Sequence, residues 1–132
     1  MLLIQGVFFQ DRQFLTTAYL PKESLCPVVG HSRFYSMFAG SLWIDPKEPS
    51  QLIGGLMDEF GDSLLSSVEM SKQSLRFKKK YLRREYVIDY DFVALEGGIW
   101  EGKWKSIPSI GEGTARCILT QIPSGFLNQD HL

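Results

Sequence analysis

The strongest pattern in the chain is one-for-one alternation of apolar and polar residues, which marks strands with one buried and one solvated face. Over Ser74–Tyr81, Leu75, Phe77, Lys79 and Tyr81 fall on one side, with Arg76, Lys78 and Lys80 on the other. Over Glu85–Leu95, Tyr86, Ile88, Tyr90, Phe92 and Ala94 share a face, and Val87, Asp89, Asp91 and Val93 take its reverse. The next segment sets Trp100, Gly102 and Trp104 against Glu101, Lys103 and Lys105. Between these two strands, Glu96-Gly97-Gly98 reads as a hairpin turn. Thr114–Ile122 closes the series, with Ala115, Cys117 and Leu119 opposing Thr114, Arg116 and Thr120.

Upstream, strands are expected at Leu2–Phe9 and Phe14–Leu20, joined by a turn at Gln10-Asp11-Arg12-Gln13. Leu25–Arg33 holds Pro27, Gly30 and His31 and reads as a loop. The run Arg33–Ala39 is too short for periodicity to separate a helical turn from a strand. Gly40–Ile44 is strand-like, and Asp45–Ser50, with two prolines, is a turn. Leu52–Phe60 and Leu64–Met70 follow, the latter placing Leu64, Ser66, Val68 and Met70 against Leu65, Ser67 and Glu69. No long segment has helical periodicity. About eight to nine short strands with frequent turn signals specify an all-β fold. Short connections and in-strand glycines (Gly54, Gly55, Gly102) favour a barrel over a sandwich. The expectation is one domain over residues 1–132: a single antiparallel meander barrel with little helix.

Composition narrows the function. A chain of 132 residues with 44% hydrophobic and 22% charged residues forms one globular domain rather than a disordered segment. The net charge of -1 gives no overall field to attract nucleic acid or anionic lipid. Cys26, Cys117, His31 and His131 have no metal-ligand or redox spacing, so no metal or other cofactor is expected; parity alone would allow a Cys26–Cys117 disulfide. The apolar start, Met1–Phe9, lacks a basic flank and reads as a strand rather than a signal peptide. No apolar run is long enough for a membrane span. A cytoplasmic protein is the expectation.

The inward-facing set is the candidate site. Phe77, Tyr81, Tyr86, Tyr90, Phe92, Trp100 and Trp104 would wall a barrel interior, either as an apolar ligand pocket with a few phenol and indole donors or as a packed core. Lys79 falls on the same face. It either anchors an anionic group inside the barrel or belongs, with Lys78 and Lys80, to a solvated run at the strand end. Arg76, Lys78, Lys79, Lys80, Arg83 and Arg84 form the main basic cluster, but without a net positive charge it is a weak nucleic-acid footprint. Asp89 and Asp91 share a face that alternation puts outside. Neither histidine has a nucleophile beside it, and no phosphate-binding glycine loop is present, so no catalytic residue is assigned.

Four segments carry a resemblance: Gly55-Leu-Met-Asp-Glu-Phe-Gly61, Leu75-Arg-Phe-Lys-Lys-Lys-Tyr81, Gly98-Ile-Trp-Glu-Gly-Lys-Trp104 and Gly113-Thr-Ala-Arg-Cys-Ile-Leu119. Their rhythm resembles the calycin-type small barrels, namely lipocalins, fatty-acid-binding proteins and avidin-like domains. Gly98-Ile-Trp100 has the lipocalin Gly-x-Trp spacing but lies late in the chain, while the early Gly40-Ser-Leu-Trp43 is one residue too long. The resemblance implies a lipocalin-like barrel holding a small apolar or amphipathic, anionic ligand. The alternative is a filled barrel working as an interaction or assembly module, with a homodimer as one form. An enzyme using the barrel mouth is the least favoured.

Overall fold

The computed structural model describes residues 1–11, 25–28, 31–107 and 111–123. Nine strands form one antiparallel sheet: β1 (Leu2–Asp11), β2 (Leu25–Val28), β3 (His31–Ile44), β4 (Leu52–Asp58), β5 (Gly61–Met70), β6 (Ser74–Tyr81), β7 (Val87–Ala94), β8 (Ile99–Ile107) and β9 (Glu112–Gln121). From β3 to β9 each strand pairs with the next in sequence. β1 pairs with β9 on one side and with β3 on the other, closing an eight-stranded meander barrel. β2 is a short extra strand on the start of β3. Closure leaves the eight barrel strands with partners on both sides, which removes most exposed sheet edge.

Alternation decides which side chains fill the barrel. Along β6 the pattern is regular, with Leu75, Phe77, Lys79 and Tyr81 buried and Arg76, Lys78 and Lys80 exposed. β7 buries Ile88, Tyr90 and Phe92, while β8 buries Trp100, Trp104 and Ser106. Ile4, Phe8, Phe38, Leu42, Leu56, Leu65, Ala115 and Cys117 complete the core from the opposite wall. The Glu96–Gly98 connection is a tight 3-10 turn with positive φ at Gly97 and Gly98, as the hairpin reading requires.

The in-strand glycines mark the tight places. A Cβ at Gly102 would collide with the Asp91 carbonyl of the neighbouring strand, and one at Gly54 would meet the Ser41 carbonyl. Both contacts bring backbones closer than a side chain permits.

Several sequence expectations need correction. Leu25–Arg33, expected as a loop, contains β2 and the first residues of β3, because the two segments pair from Leu25↔Phe34 to Val28↔His31. Arg33–Ala39 resolves as strand, continuous with Gly40–Ile44. Strict alternation fails in β5. There Ser63, Leu65 and Val68 are buried, whereas Leu64 is exposed, so Leu64 and Val68 do not share a face. The cause is a β-bulge between Ser66 and Glu69, where Ser67 takes φ 51 and shifts the register by one residue. Tyr86 lies just before β7 rather than within it. The expected strand Phe14–Leu20 lies outside the described residues.

Candidate functional site

Strands β4, β6 and β8 run in the same direction and finish at one end of the barrel. Leu52, Gly54, Leu56 and Asp58 lie on one face of β4, and alternation carries the Asp58 carboxylate inward at the strand's end. Lys79 points inward from β6, and Tyr81, two residues on, shares its face. β5 separates β4 from β6, and its inward residue at this level is the small Ser63, whose hydroxyl donates to the Leu56 carbonyl at 3.1 Å. The side chains of Asp58, Lys79 and Tyr81 meet there.

The three form a closed ring of hydrogen bonds. Lys79 Nζ donates to Asp58 Oδ2 at 3.0 Å and to the Tyr81 hydroxyl at 2.9 Å. Tyr81 in turn donates to Asp58 Oδ2 at 2.6 Å. The other carboxylate oxygen, Oδ1, accepts the Phe60 backbone N–H at 2.8 Å, which also fixes the β4–β5 turn. Ring faces surround the ammonium: the centroids of Phe8, Tyr81 and Tyr90 lie 4.9, 4.7 and 5.1 Å from Nζ. Cation–π attraction therefore supplements the two hydrogen bonds where water is excluded. Above them the half-buried Arg84 guanidinium covers the rings of Phe60 and Tyr81 at 5.5 and 6.0 Å.

Burial governs the titration of this cluster. It lowers the Lys79 ammonium below its usual range, against the opposing pull of the Asp58 charge and hydrogen bond. It raises the Tyr81 phenol, with the nearby Tyr90 and Asp58 acting in the same direction. The Tyr90 phenol is likewise raised by burial, then by Asp58. Tyr90 differs from Tyr81 in one respect: its buried hydroxyl has no hydrogen-bond partner among the described residues.

Below the cluster the rings meet across the barrel. Phe38 on β3 and Tyr90 on β7 stand on opposite walls, four strands apart in either direction, and their centroids are 6.2 Å apart. Phe77 and Phe92 stack on Tyr90 at 5.1 and 5.8 Å, and Phe8 meets Trp104 edge-on at 5.7 Å. The Trp104 indole N–H donates to the Phe9 carbonyl at 2.9 Å, crossing Gly113 of the intervening β9. A Cβ at Gly113 would block that path.

The eight sequence candidates are thus brought together, as follows. Phe77, Lys79, Tyr81, Tyr90, Phe92, Trp100 and Trp104 are buried inside the barrel, and Tyr86 packs half-buried against them. Lys79 is not part of a solvated run; it is fully buried and its charge is already met by Asp58. Asp58 was the residue sequence reasoning missed as a partner, although alternation from Leu52 already pointed it inward.

The outer surface has two distinct faces. Over β5–β9, cross-strand rows such as Glu69–Arg76–Asp91–Lys103 and Lys78–Asp89–Lys105–Glu112 alternate in sign. They enclose an open groove of about 740 Å³ in which the two signs balance. Over β1, β3 and β4 the outward positions with described side chains are Leu3, Gln5, Val7, Phe9, Tyr35, Met37, Ala39, Ser41, Trp43, Ile53, Gly55 and Met57. None is charged. Met37 and Met57 are 67% and 63% exposed at its centre.

Cys117 is a free, buried thiol whose pKa burial pushes up to about 12, so it is a poor nucleophile. Among the described residues no group of three or more His, Cys, Asp or Glu side chains could hold a metal ion, and no helix is long and apolar enough to cross a membrane. Comparison with protein families, curated proteins and solved structures gave no match, so the site stands on its own geometry.

Proposed function

We propose that this protein is a filled barrel that acts through its outer surface, as an interaction or assembly module. The observation that carries this reading is the ring contact between Phe38 and Tyr90 across the barrel. It occupies the space that a lipocalin-type ligand would need. The Asp58–Lys79–Tyr81 ring supports the same conclusion, since an anionic ligand would have to displace a carboxylate already bound to the lysine. Kinship with the lipocalin-like barrels, a single domain over residues 1–132 and a cytoplasmic setting belong to the same proposal.

The partnerless Tyr90 hydroxyl favours a second reading, in which the interior opens to take a small apolar or amphipathic molecule. Leaving such a group buried and unpaired costs about 1–3 kcal/mol, which a ligand oxygen would recover. A native mass spectrum of the purified protein separates the two. The first expects only the 15.0 kDa chain or its multiples. A stoichiometric small molecule that is lost in Tyr90→Phe would overturn it in favour of the second.

A further inference from the structure

The charges in the open groove over β5–β9 balance in number but not in pairing. From β6, Lys78 and Arg76 reach Asp89 and Asp91 of β7 at 3.2 and 3.7 Å, and Arg76 also meets Glu69 of β5 at 4.0 Å. Both aspartates are therefore engaged from the β6 side. Lys103 and Lys105 of β8 stand on their other side, exposed, and neither makes an ion pair or hydrogen bond among the described residues. On β9, Thr114 is in register with Lys103, and Glu112, also unpaired, is in register with Lys105. Two free ammonium groups thus remain against one free carboxylate. The β5 side of the groove is lined by Ser67, the bulge residue with φ 51. Bulges re-aim strands beside functional sites, where strained backbone also gathers. A strained bulge and two free lysines meet in one concavity.

We propose that this groove docks an extended acidic segment of a partner protein, with carboxylates at two alternate residues; this rests on the surface-acting reading above and names its class of partner. Lys103 and Lys105 are two residues apart on one strand face, about 7 Å, which is also the separation of alternate side chains along an extended segment. An acidic segment lying along β8 sets one carboxylate over each ammonium, and its intervening side chain turns away. Charge-assisted hydrogen bonds to the two lysines fix its register. The positive run is only two residues long. Glu101, on the same face and paired with Arg116 at 2.9 Å, ends it on one side, and exposed Ile107 ends it on the other. A nucleic-acid strand, charged at every unit, overruns both limits and meets Glu101, whereas a segment with two alternate acids fits between them. Like charges placed opposite one another suppress the wrong partner.

Amide chemical-shift titration of the full chain with the synthetic peptide Gly-Ser-Glu-Thr-Glu-Ser-Gly, at low salt and up to ~10 mM, tests this. Saturable shifts are expected at Lys103, Lys105 and Thr114. Lys103→Gln/Lys105→Gln, both at exposed positions, weakens binding roughly tenfold. Lys103→Glu/Lys105→Glu transfers binding to the same peptide with lysine in place of glutamate. An unchanged urea midpoint shows that the variants remain folded. The proposal is overturned if the wild type gives no saturable shifts, if the affinity survives the glutamine changes, or if the peptide with glutamine in place of glutamate binds equally well. It is also overturned if a single-stranded oligonucleotide binds these lysines more tightly, or if a second copy fills the groove, seen as a doubled mass that the glutamine changes abolish. If the peptide fails and the native spectrum is free of small molecule, this partner alone is wrong. A stoichiometric small molecule would instead remove the reading beneath it.

Discussion

Lys79 Nζ lies 3.0 Å from Asp58 Oδ2, and neither side chain reaches solvent, although they come from strands that are not neighbours in the sheet. The pair spans β5 and holds β4 to β6 from the inside. Its net worth is smaller than its geometry suggests, since both charges lose their hydration. Removing one partner is another matter, because it strands the other. Lys79→Met is expected to cost about 3–5 kcal/mol in urea unfolding. Adding Asp58→Asn, which keeps an acceptor for the Phe60 N–H, recovers most of that loss. If the double variant is as unstable as the sum of the two single ones, the side chains are not coupled.

Tyr90→Phe tests the orphan hydroxyl. In a filled barrel the substitution deletes an unpaired polar atom and leaves the ring stack with Phe77 and Phe92 in place. The protein then gains about 1 kcal/mol, measured as a higher urea midpoint at unchanged slope. A loss of stability would mean that the hydroxyl is satisfied in solution.

Stability should fall steeply in alkali. Tyr81 and Tyr90 have their folded pKa values raised above the ordinary 10.0, so their contribution is present below pH 10 and is lost as pH rises beyond it, when only the unfolded chain releases those protons. Cys117 acts in the same direction from pH 9.0 to about 12. Lys79, with its folded pKa lowered, opposes them: its penalty eases as pH rises and is gone above about 10.5. Above that point three protons favour the unfolded state, a slope of about 4 kcal/mol per pH unit. Tyrosinate absorbance should show two of the five tyrosines ionising only as the chain unfolds. Smooth titration of all five in the folded protein would contradict the burial of the pair.

Ser67 holds a positive φ of 51 at the β5 bulge, a conformation that costs a side-chain-bearing residue about 1–2 kcal/mol. Ser67→Gly is therefore expected to stabilise by up to about 1 kcal/mol, after allowing for the extra entropy glycine carries when unfolded. Ser67→Val should destabilise. Both are read from thermal unfolding.

Much of the barrel was legible because its strands are half-buried, which prints a period of two directly onto the sequence. β6 and the two faces of β8 read correctly for that reason, although β8 runs two residues beyond Lys105. Legibility ended where the backbone departs from regularity: the bulge at Ser67 put Val68 on the face opposite Leu64, and no residue type announced it. The β2 segment was hidden by Pro27 and Gly30, which signal turns more strongly than a four-residue strand signals itself. Lys79 shows another limit. Alternation pointed it inward, yet only the fold could bring Asp58, twenty-one residues away in sequence, within bonding distance.

The ladder joining β1 to β9 pairs Leu2 with Gln121, so it encloses nearly the whole described chain in one loop. Its neighbours from β3 to β9 are hairpins that can zip in turn, each at a small entropic cost; this one alone awaits nearly everything between. Until it forms, β1 and β9 each expose a bare row of amides to any other strand, as aggregation requires. The same seam that makes the finished barrel edgeless concentrates its folding hazard in a single pairing.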